Sequence, residues 1–304
     1  MKKKQHDLVF WLFLAPAVIA FLMVILIPFI MGIFYSMTDW TSRPQPEGLQ
    51  FVGLLNFIDS FKDISFIYSF LLTIVYTFVN MIVINIVAFG LALLVTSKIK
   101  FDNIFRAGFF LPNLIGGLIL GYIWQFIFNM VIPNLPVISA IFPAIAESGN
   151  LMLATRDSAV MAIVIAGSWQ YAGYIMMIYV AAIISVPEEL FEAAKIDGAS
   201  SFKNLIHIIV PMTAQAFTIT MFLTLVQSFK QFDVNVSLTG GGPSTQFAGS
   251  FIRGTELLAL DIYNTAFTAN SLAESQARSV IFFIVLVLIS LLQVRRNKKK
   301  EVEL

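Results

Sequence analysis

An acidic segment that ends in glycine, Glu188 to Gly198, is where residue types and spacing most clearly suggest chemistry. Pro187 and the glutamates after it are typical of a helix N-terminus, because proline fits the first turn and carboxylates stabilise the positive end of the helix dipole. Gly198 predicts the end of that helix, since glycine adopts the left-handed conformation without strain. A second short helix from about Ser200 is expected to lead to Pro211. We call residues 187–211 the elbow.

The elbow has the composition of a docking contact. Ala193 and Ala194 leave the backbone open to close approach, and Leu190 with Phe191 offers an apolar anchor. The glutamates of the same helix can pair with basic groups of a partner. An alternative interpretation is an amphipathic interfacial helix that only connects two membrane spans. The residue types leave both interpretations open.

Catalytic chemistry has few candidates in this chain. There are no cysteines and only two histidines, which excludes thiol catalysis, disulfides and a multi-histidine metal centre. The glycine-rich run from Gly240 to Thr245 lacks the lysine of a phosphate-binding loop. We therefore expect no metal and no cofactor bound by this chain, and an ATP-driven process would need a partner that hydrolyses the nucleotide. A membrane-bound enzyme is the interpretation with the least chemistry behind it.

The composition places these residues in an integral membrane protein. Of 304 residues, 58% are hydrophobic and 12% are charged, whereas a soluble domain has about 25% charged residues. The mean hydropathy is +0.85. A soluble fold would lack a charged shell, and a disordered chain would need more charge and fewer apolar residues. The net charge of +1 implies no general attraction to nucleic acid.

Six stretches are apolar over the length, about 20 residues, that a membrane helix needs. We predict spans within residues 8–38, 64–97, 106–129, 158–186, 208–229 and 272–294. The first run is too long for a signal peptide, so we expect an uncleaved span. Three prolines from Pro133 to Pro143 predict a loop or a short interfacial helix after the third span. Pro211 is expected in the first turn of the fifth span.

Lysine and arginine are distributed unevenly between the two sides of these spans. If both termini are cytoplasmic, the inner segments hold the larger share: Lys2, Lys3, Lys4, Lys98, Lys100, Arg106, Lys195, Lys203 and the basic tail at 295–300. The outer segments hold Arg43, Lys62, Arg156, Lys230, Arg253 and Arg278. This bias predicts cytoplasmic termini, with the tail as an anchor on anionic lipid. We expect Lys230 and Arg278 to extend towards the outer interface.

The middle of every predicted span is free of acids, bases and histidine. Ion-coupled carriers usually keep ionisable groups there, because the coupling ion needs a site. The pattern therefore disfavours an autonomous secondary carrier, although backbone carbonyls can hold sodium without such groups. A carrier or facilitator for a neutral polar solute remains the alternative function.

The elbow resembles the cytoplasmic loop of binding-protein-dependent ABC importer permeases. That signature has E-A-A, three residues, glycine, nine residues and I-x-L-P; here Glu192-Ala193-Ala194, Gly198 and Ile208-Ile209-Val210-Pro211 stand at the same spacing, with valine for leucine. Residues 28–40 and 51–57 are similar to the first span and first outer loop of the sugar permeases in this family. Phe232-Asp233 and the run Thr239 to Pro243 resemble the segment after their fifth span. The similarity extends over most of residues 8–294.

The resemblance implies an all-α, polytopic protein with six transmembrane helices and the type I ABC importer permease fold. Three regions are expected: residues 1–66 with the first span and outer loop, a permease core at 67–294, and the basic tail at 295–304. The implied function is sugar import across a bacterial inner membrane. The implied partners are a second related permease, two cytoplasmic ATPases that use the ATP, and an extracytoplasmic sugar-binding protein. The coupling residues would be Glu189, Leu190, Glu192, Ala193, Ala194, Asp197, Gly198 and Ala199.

Sugar recognition favours aromatic faces together with amide and hydroxyl groups. The candidates for a sugar path are Tyr122, Gln125, Asn129, Trp169, Tyr174, Gln227, Gln231 and Asp233, with Gln170 and Tyr171 beside them. The same residue types also belt membrane interfaces and join helices to one another. Both roles stay open for each of these side chains.

Glycines mark two further features. Gly117 and Gly121 favour close helix packing over a hinge. The run Gly240, Gly241, Gly242 and Pro243 predicts a sharp irregular turn at the outer mouth. That turn is either a plain loop or a contact with the binding protein or the pore mouth.

Overall fold

The computed structural model describes residues 2–43, 48–97, 100–135 and 152–298. The helices are α1 Lys2–Phe21, α2 Ile27–Tyr35, α3 Leu55–Ser60, α4 Ile64–Thr96, α5 Asp102–Phe110, α6 Gly117–Phe126, α7 Arg156–Ile184, α8 Glu188–Ile196, α9 Ser201–Asn204, α10 Val210–Met212, α11 Ala214–Phe229, α12 Asp233–Leu238, α13 Leu258–Phe267 and α14 Leu272–Lys298. The strands are β1 Ser244–Phe247 and β2 Ser250–Arg253. The chain divides into one unit of residues 1–63 and 262–284, and a second unit of residues 64–261 and 285–304.

The first unit combines the first span with the beginning of α14. A π-helical turn, Leu22–Leu26, joins α1 and α2 into one apolar helix, Phe10–Tyr35. Gly32 allows α2 to lie against α14, because a Cβ there would be 2.8 Å from Oε1 of Gln276. The rings of Phe29 and Phe283 meet at 4.8 Å. The close packing at Gly32 and the contact between the two aromatic rings therefore both hold this unit together.

Arg278 lies inside the first unit, which corrects the expectation that it extends to the interface. Its side chain is 4% exposed and forms ion pairs with Asp63 and Glu274. Nη1 also donates to Oγ1 of Thr265 at 2.9 Å. Burying a guanidinium is costly unless it is paired and hydrogen-bonded, and here two carboxylates and a hydroxyl bind Nη1 and Nη2.

The second unit is built around a bundle of α4, α7 and α11. Its apolar core includes Ile84, Tyr179 and Met176, all of which are fully buried. Side-chain hydrogen bonds also join the three helices, through Asn80, Asn85, Ser168, Tyr179, Thr220, Thr224 and Ser228. We call these residues the polar seam. Because lipid competes poorly for hydrogen bonds, such contacts hold membrane helices together.

Among the described residues, five helices are long and apolar enough to span a membrane, and there are six spans if one bent pair of helices is counted as a span. Residues 10–35, 64–96, 156–184 and 272–297 agree with the predicted first, second, fourth and sixth spans. The fifth differs, because Ser201–Met212 and Ala214–Phe229 meet at 70°. Pro211, which was expected in the first turn of the fifth span, therefore lies just before a bend at Thr213.

The third span begins later than the sequence predicts. Residues 106–116 were assigned to it, yet the helix starts at Gly117. Pro112 stands in a 3₁₀ turn and Ile115 is extended, so the chain before the span forms the separate helix α5. The expected loop or interfacial helix after this span falls largely outside the described residues.

A β-hairpin interrupts the helical fold. β1 pairs with β2 in antiparallel register, with Ser244 opposite Arg253 and Phe247 opposite Ser250. Ala248 and Gly249 both have positive φ, +48° and +83°, which is the conformation of a tight two-residue hairpin turn. The described part of the chain is mainly helical, as predicted, and this small sheet follows the glycine-rich run.

Candidate functional site

A small polar cavity lies where the third span begins. Its volume is about 110 Å³, and its lining comes from α6, α7, α11, α12 and the residues that connect α11 to α12: Gly117, Gln170, Tyr171, Gln227, Lys230, Gln231, Phe232, Asp233 and Val234. The interrupted helix before Gly117 is one reason for its position, because irregular backbone within a membrane must line a cavity or lie buried in protein. Among the predicted path residues, the structure brings Gln227, Gln231 and Asp233 together here.

Hydrogen bonds hold the amide side chains of this cavity. Nε2 of Gln170 donates to the carbonyl oxygen of Ile115 at 3.0 Å, which fixes the extended backbone ahead of the span. Gln227 donates to the hydroxyl of Tyr171. Gln231 is buried at 5% exposure. The amides are therefore positioned by protein contacts before any solute enters.

Asp233 packs directly against the first residue of α6. A Cβ on Gly117 would lie 2.6 Å from Cβ of Asp233 and 3.2 Å from its Oδ2. The carboxylate thus stands close to a helix N-terminus, where unpaired N–H groups and the helix dipole favour negative charge. Lys230 supplies the opposite charge in the same lining. With one cation, one anion and several neutral donors and acceptors, the cavity suits a neutral hydroxyl-rich solute.

The other predicted path residues lie elsewhere. Tyr122, Trp169 and Tyr174 are 61%, 45% and 38% exposed, and none of them lines the polar cavity. Trp169 lies at an apolar groove of about 620 Å³ lined by α4, α5 and α7, and Tyr174 lies at another of about 560 Å³. Gln125 donates to the carbonyl oxygen of Leu238 at 3.1 Å, so it joins helices.

Asn129 follows Gln125 by one helical turn, yet Oδ1 of Asn129 is buried without a hydrogen-bond partner among the described residues. It does not line the polar cavity. The sequence missed Lys230 and Gly117 as lining residues. Lys230 directly precedes the predicted path residue Gln231 after the end of α11, and this adjacency was the feature of the sequence that could have indicated its place in the lining.

Gly117 and Gly121 are packing residues. At Gly121 an added Cβ would overlap the side chain of Ser237, and at Gly117 it would press on Asp233. The two glycines therefore let α12 lie against α6. This close approach confirms the packing interpretation and places Asp233 at the cavity.

The elbow has the predicted two-helix geometry. α8 covers Glu188–Ile196, and Pro187 precedes its first residue as the N-cap. Gly198 adopts φ +70°. The amide of Ala199 donates to the oxygen of Ala194 at 2.9 Å, and that of Gly198 donates to Lys195 at 3.2 Å. These two bonds form a Schellman motif, which ends the helix and fixes the direction of the chain after it.

α8 exposes one face to solvent at the end of α7. Ile196 is 87% exposed and Leu190 is 39% exposed, with Glu189, Glu192 and Ala193 also exposed beside them. After the glycine, Ser200 caps α9, and Phe202 is 69% exposed. Large apolar side chains next to carboxylates form a surface suited to a partner protein with an apolar groove and basic rim.

The glycine-rich turn is fixed by side chains around it. Gly240 and Gly241 have φ values of +58° and +87°, which confirms the predicted irregular turn. Oγ1 of Thr255 donates to the oxygen of Gly242 at 2.7 Å. Nδ2 of Asn235 donates to the oxygen of Thr255 at 2.8 Å. α12, the turn and the end of the hairpin therefore form one hydrogen-bonded structure beside the polar cavity.

Comparison with known proteins identifies this architecture. Residues 86–296 match the family described as "Binding-protein-dependent transport system inner membrane component". The probable starch degradation products transport system permease protein AmyD of Thermoanaerobacterium thermosulfurigenes is 42% identical, over 99% of this chain and 97% of that protein. The multiple sugar-binding transport system permease protein MsmF of Streptococcus mutans is 30% identical, over 96% of each chain.

A solved structure shows the same fold. It is a bacterial alginate ABC transporter in complex with an alginate pentasaccharide-bound periplasmic protein. One of its chains aligns with 99% of this chain and 99% of its own length, with a TM-score of 0.80 and 19% identity. The described helices thus have the arrangement of an ABC importer permease.

Proposed function

Because the chain belongs to the family of binding-protein-dependent transport system inner membrane components, and so is a permease of an ABC importer, we propose that its solute is a sugar. An oligosaccharide or a related compound, delivered by a solute-binding protein, is the class that its relatives' names support. The observation that carries the proposal is the polar cavity, whose amides and aromatic hydroxyl suit sugar hydroxyl groups.

The coupling role belongs to α8 in this proposal. Glu189, Leu190, Glu192 and the alanines after them would lie in a groove of a cytoplasmic ATPase, with Asp197, Gly198 and Ala199 setting the exit of the chain. One such ATPase would dock on this permease and another on a related partner permease. ATP is bound and hydrolysed in those subunits. The elbow would thus be cytoplasmic, with both termini on the same side of a bacterial inner membrane.

The connection between elbow and cavity gives a mechanism. α7 enters the elbow and α11 leaves it, and both helices also line the polar cavity. The polar seam joins α7 and α11 directly, from Thr220 to Tyr179, and also through α4. Closure of the ATPases would therefore move these helices together and change access to the cavity, which is alternating access driven by a partner.

Proteoliposomes test this proposal. The complete importer contains this permease, its partner permease, the ATPases and the sugar-loaded binding protein. We expect it to accumulate sugar only when ATP is present on the side of the membrane that the ATPases face. Glu192→Lys and Gly198→Pro should each reduce both uptake and ATPase assembly, whereas Lys62→Gln, an exposed residue far from the elbow in sequence, should reduce neither. Sugar flux by this chain alone without ATP would contradict the importer mechanism and favour a facilitator.

The cavity is tested separately. Gln227→Leu and Gln231→Leu remove amides while leaving the elbow intact, so they are expected to reduce sugar uptake with little loss of ATPase assembly. Normal uptake in both variants would show that the sugar passes elsewhere. That result would leave the role of the elbow standing.

A further inference from the structure

A second groove, outside the proposed transport path, lies at the end of α7 opposite the elbow. α7 has 29 residues, so its two ends are about 43 Å apart. The groove has a volume of about 300 Å³ and is lined by Tyr68, Leu71, Leu72, Val75, Arg156, Thr245, Gln246 and Phe247. We propose that this groove binds a membrane phospholipid with an ethanolamine-type headgroup, whose phosphate lies at Arg156.

The cation of this groove is held in place by buried protein groups. Nε of Arg156 donates to the hydroxyl of Tyr68 at 2.8 Å, and that hydroxyl donates to the oxygen of Gly254 at 2.6 Å. Tyr68 is 5% exposed. Gly254 also supports the arginine stem, because a Cβ there would be 3.2 Å from Cγ of Arg156. These contacts therefore hold the guanidinium in place and leave some of its N–H groups available for a ligand.

The donors of Arg156 that remain available match a phosphate. Nη1 pairs with Oδ1 of Asp157 at 2.9 Å, and Nη2 has no acceptor among the described residues. The Arg156 side chain is 43% exposed, so a ligand can reach it. Arginine presents its N–H groups in a planar fork that fits phosphate oxygens. Thr245 and Gln246 add polar groups to the lining of the groove.

Asp157 selects the net charge of the headgroup. Its side chain is 86% exposed and lies next to the guanidinium. A headgroup that carries only negative charge would be repelled by this carboxylate. An ethanolamine headgroup places an ammonium beside its phosphate, so the two charges can pair with Asp157 and Arg156 respectively.

The wall of the groove formed by α4 suits an acyl chain. Tyr68, Leu71, Leu72 and Val75 stand at helical spacing on one face of α4, a membrane-spanning helix. Leu71 and Val75 are 49% and 59% exposed, although both are apolar. A polar end that continues into an apolar wall along a spanning helix is the pattern of an amphiphile site. A sugar would leave this wall without a hydrogen-bonding role.

Native mass spectrometry of the full chain in mild detergent tests the site. Palmitoyl-oleoyl phosphatidylethanolamine and phosphatidylglycerol are added in equal amounts, and wild type is expected to retain one molecule of the former preferentially. Arg156→Gln should weaken retention about tenfold, because a charged hydrogen bond to phosphate is lost. Asp157→Asn should abolish the preference for ethanolamine. Lys62→Gln, another exposed cation paired with a neighbouring carboxylate, should change neither result.

Val75→Trp keeps the experiment decisive if Arg156→Gln fails to fold. It fills the apolar wall and leaves the arginine contacts intact, so it too should reduce retention. Equal retention in wild type, Arg156→Gln and Val75→Trp would overturn the site. Equal retention of the two lipids by wild type would overturn the headgroup assignment.

Discussion

The packing of Gly117 against Asp233 makes a sharp prediction about the transport cavity. Gly117→Ala adds a Cβ that would lie 2.6 Å from Cβ of Asp233, whereas carbon atoms pack best at about 3.5–4.0 Å. Asp233 must therefore move by about 1 Å, and α12 moves with it because this contact involves the root of the side chain. The displaced carboxylate belongs to the cavity lining, so we expect impaired sugar uptake.

The energetic cost follows from the same contact. Overpacking of this kind costs about 1–3 kcal/mol, and alanine recovers up to about 1 kcal/mol of helix propensity in the first turn. A net loss of about 1–2 kcal/mol is expected. Gly116→Ala is the matched control, because no atom lies within 4 Å of its added Cβ and its φ is −59°. Its expected cost is about 0.5 kcal/mol, for a less favourable N-cap.

The assay is sugar uptake into proteoliposomes by the complete importer, with thermal unfolding of each purified complex measured alongside. Gly117→Ala should lower both the initial uptake rate and the unfolding temperature, while Gly116→Ala stays close to wild type. ATPase assembly should be unchanged in both, because the elbow is distant in the chain. If Gly117→Ala and Gly116→Ala behave alike in uptake and unfolding, the contact with Asp233 does not shape the cavity.

Three other predictions concern features away from the cavity. Tyr179→Phe removes two hydrogen bonds of the polar seam and should lower the free energy of unfolding by about 1–2 kcal/mol in a chemical unfolding assay. Tyr174 is exposed, so Tyr174→Phe should leave that free energy unchanged. Gly198→Ala strains a φ of +70° by about 1–2 kcal/mol and should weaken sugar-stimulated ATP hydrolysis; undiminished stimulation would contradict a fixed elbow. Arg278→Met leaves two carboxylates without their cation and should lower the free energy of unfolding by about 3 kcal/mol. Lys62→Met, at an exposed ion pair, should lower it by less than about 1 kcal/mol. Equal losses of stability in the two variants would refute the role of burial.

The sequence predicts the elbow well because its information is local. Pro187 and Gly198 act on the backbone of their own segment, and the helix between them begins and ends within a residue of the expected positions. The long spans are predictable for the same reason, since a continuous apolar run needs no knowledge of its neighbours. Local signals also identified the turn at Gly240 and Gly241.

Features that depend on residues far apart in the chain were harder to predict from the sequence. The third span starts at Gly117, and the extended backbone before it is held by Gln170 from another helix. The burial of Arg278 depends on Asp63, which is far away in sequence. The hairpin was missed because its strands have four residues each and lack a strong alternating pattern. A sugar-path role for Tyr122, Trp169 and Tyr174 stays a prediction; that they do not line the polar cavity depends on the fold, and their residue types could not show it.

The polar seam has a consequence for how the chain assembles in the bilayer. A shift of one residue along a helix turns each side chain by about 100°, which would point Asn80 or Asn85 into acyl chains and break its bond to α11. Apolar packing alone discriminates such misalignments weakly, because one aliphatic face resembles the next. The seam therefore acts as a register key: only one alignment of three independently inserted helices satisfies its amides and hydroxyls together.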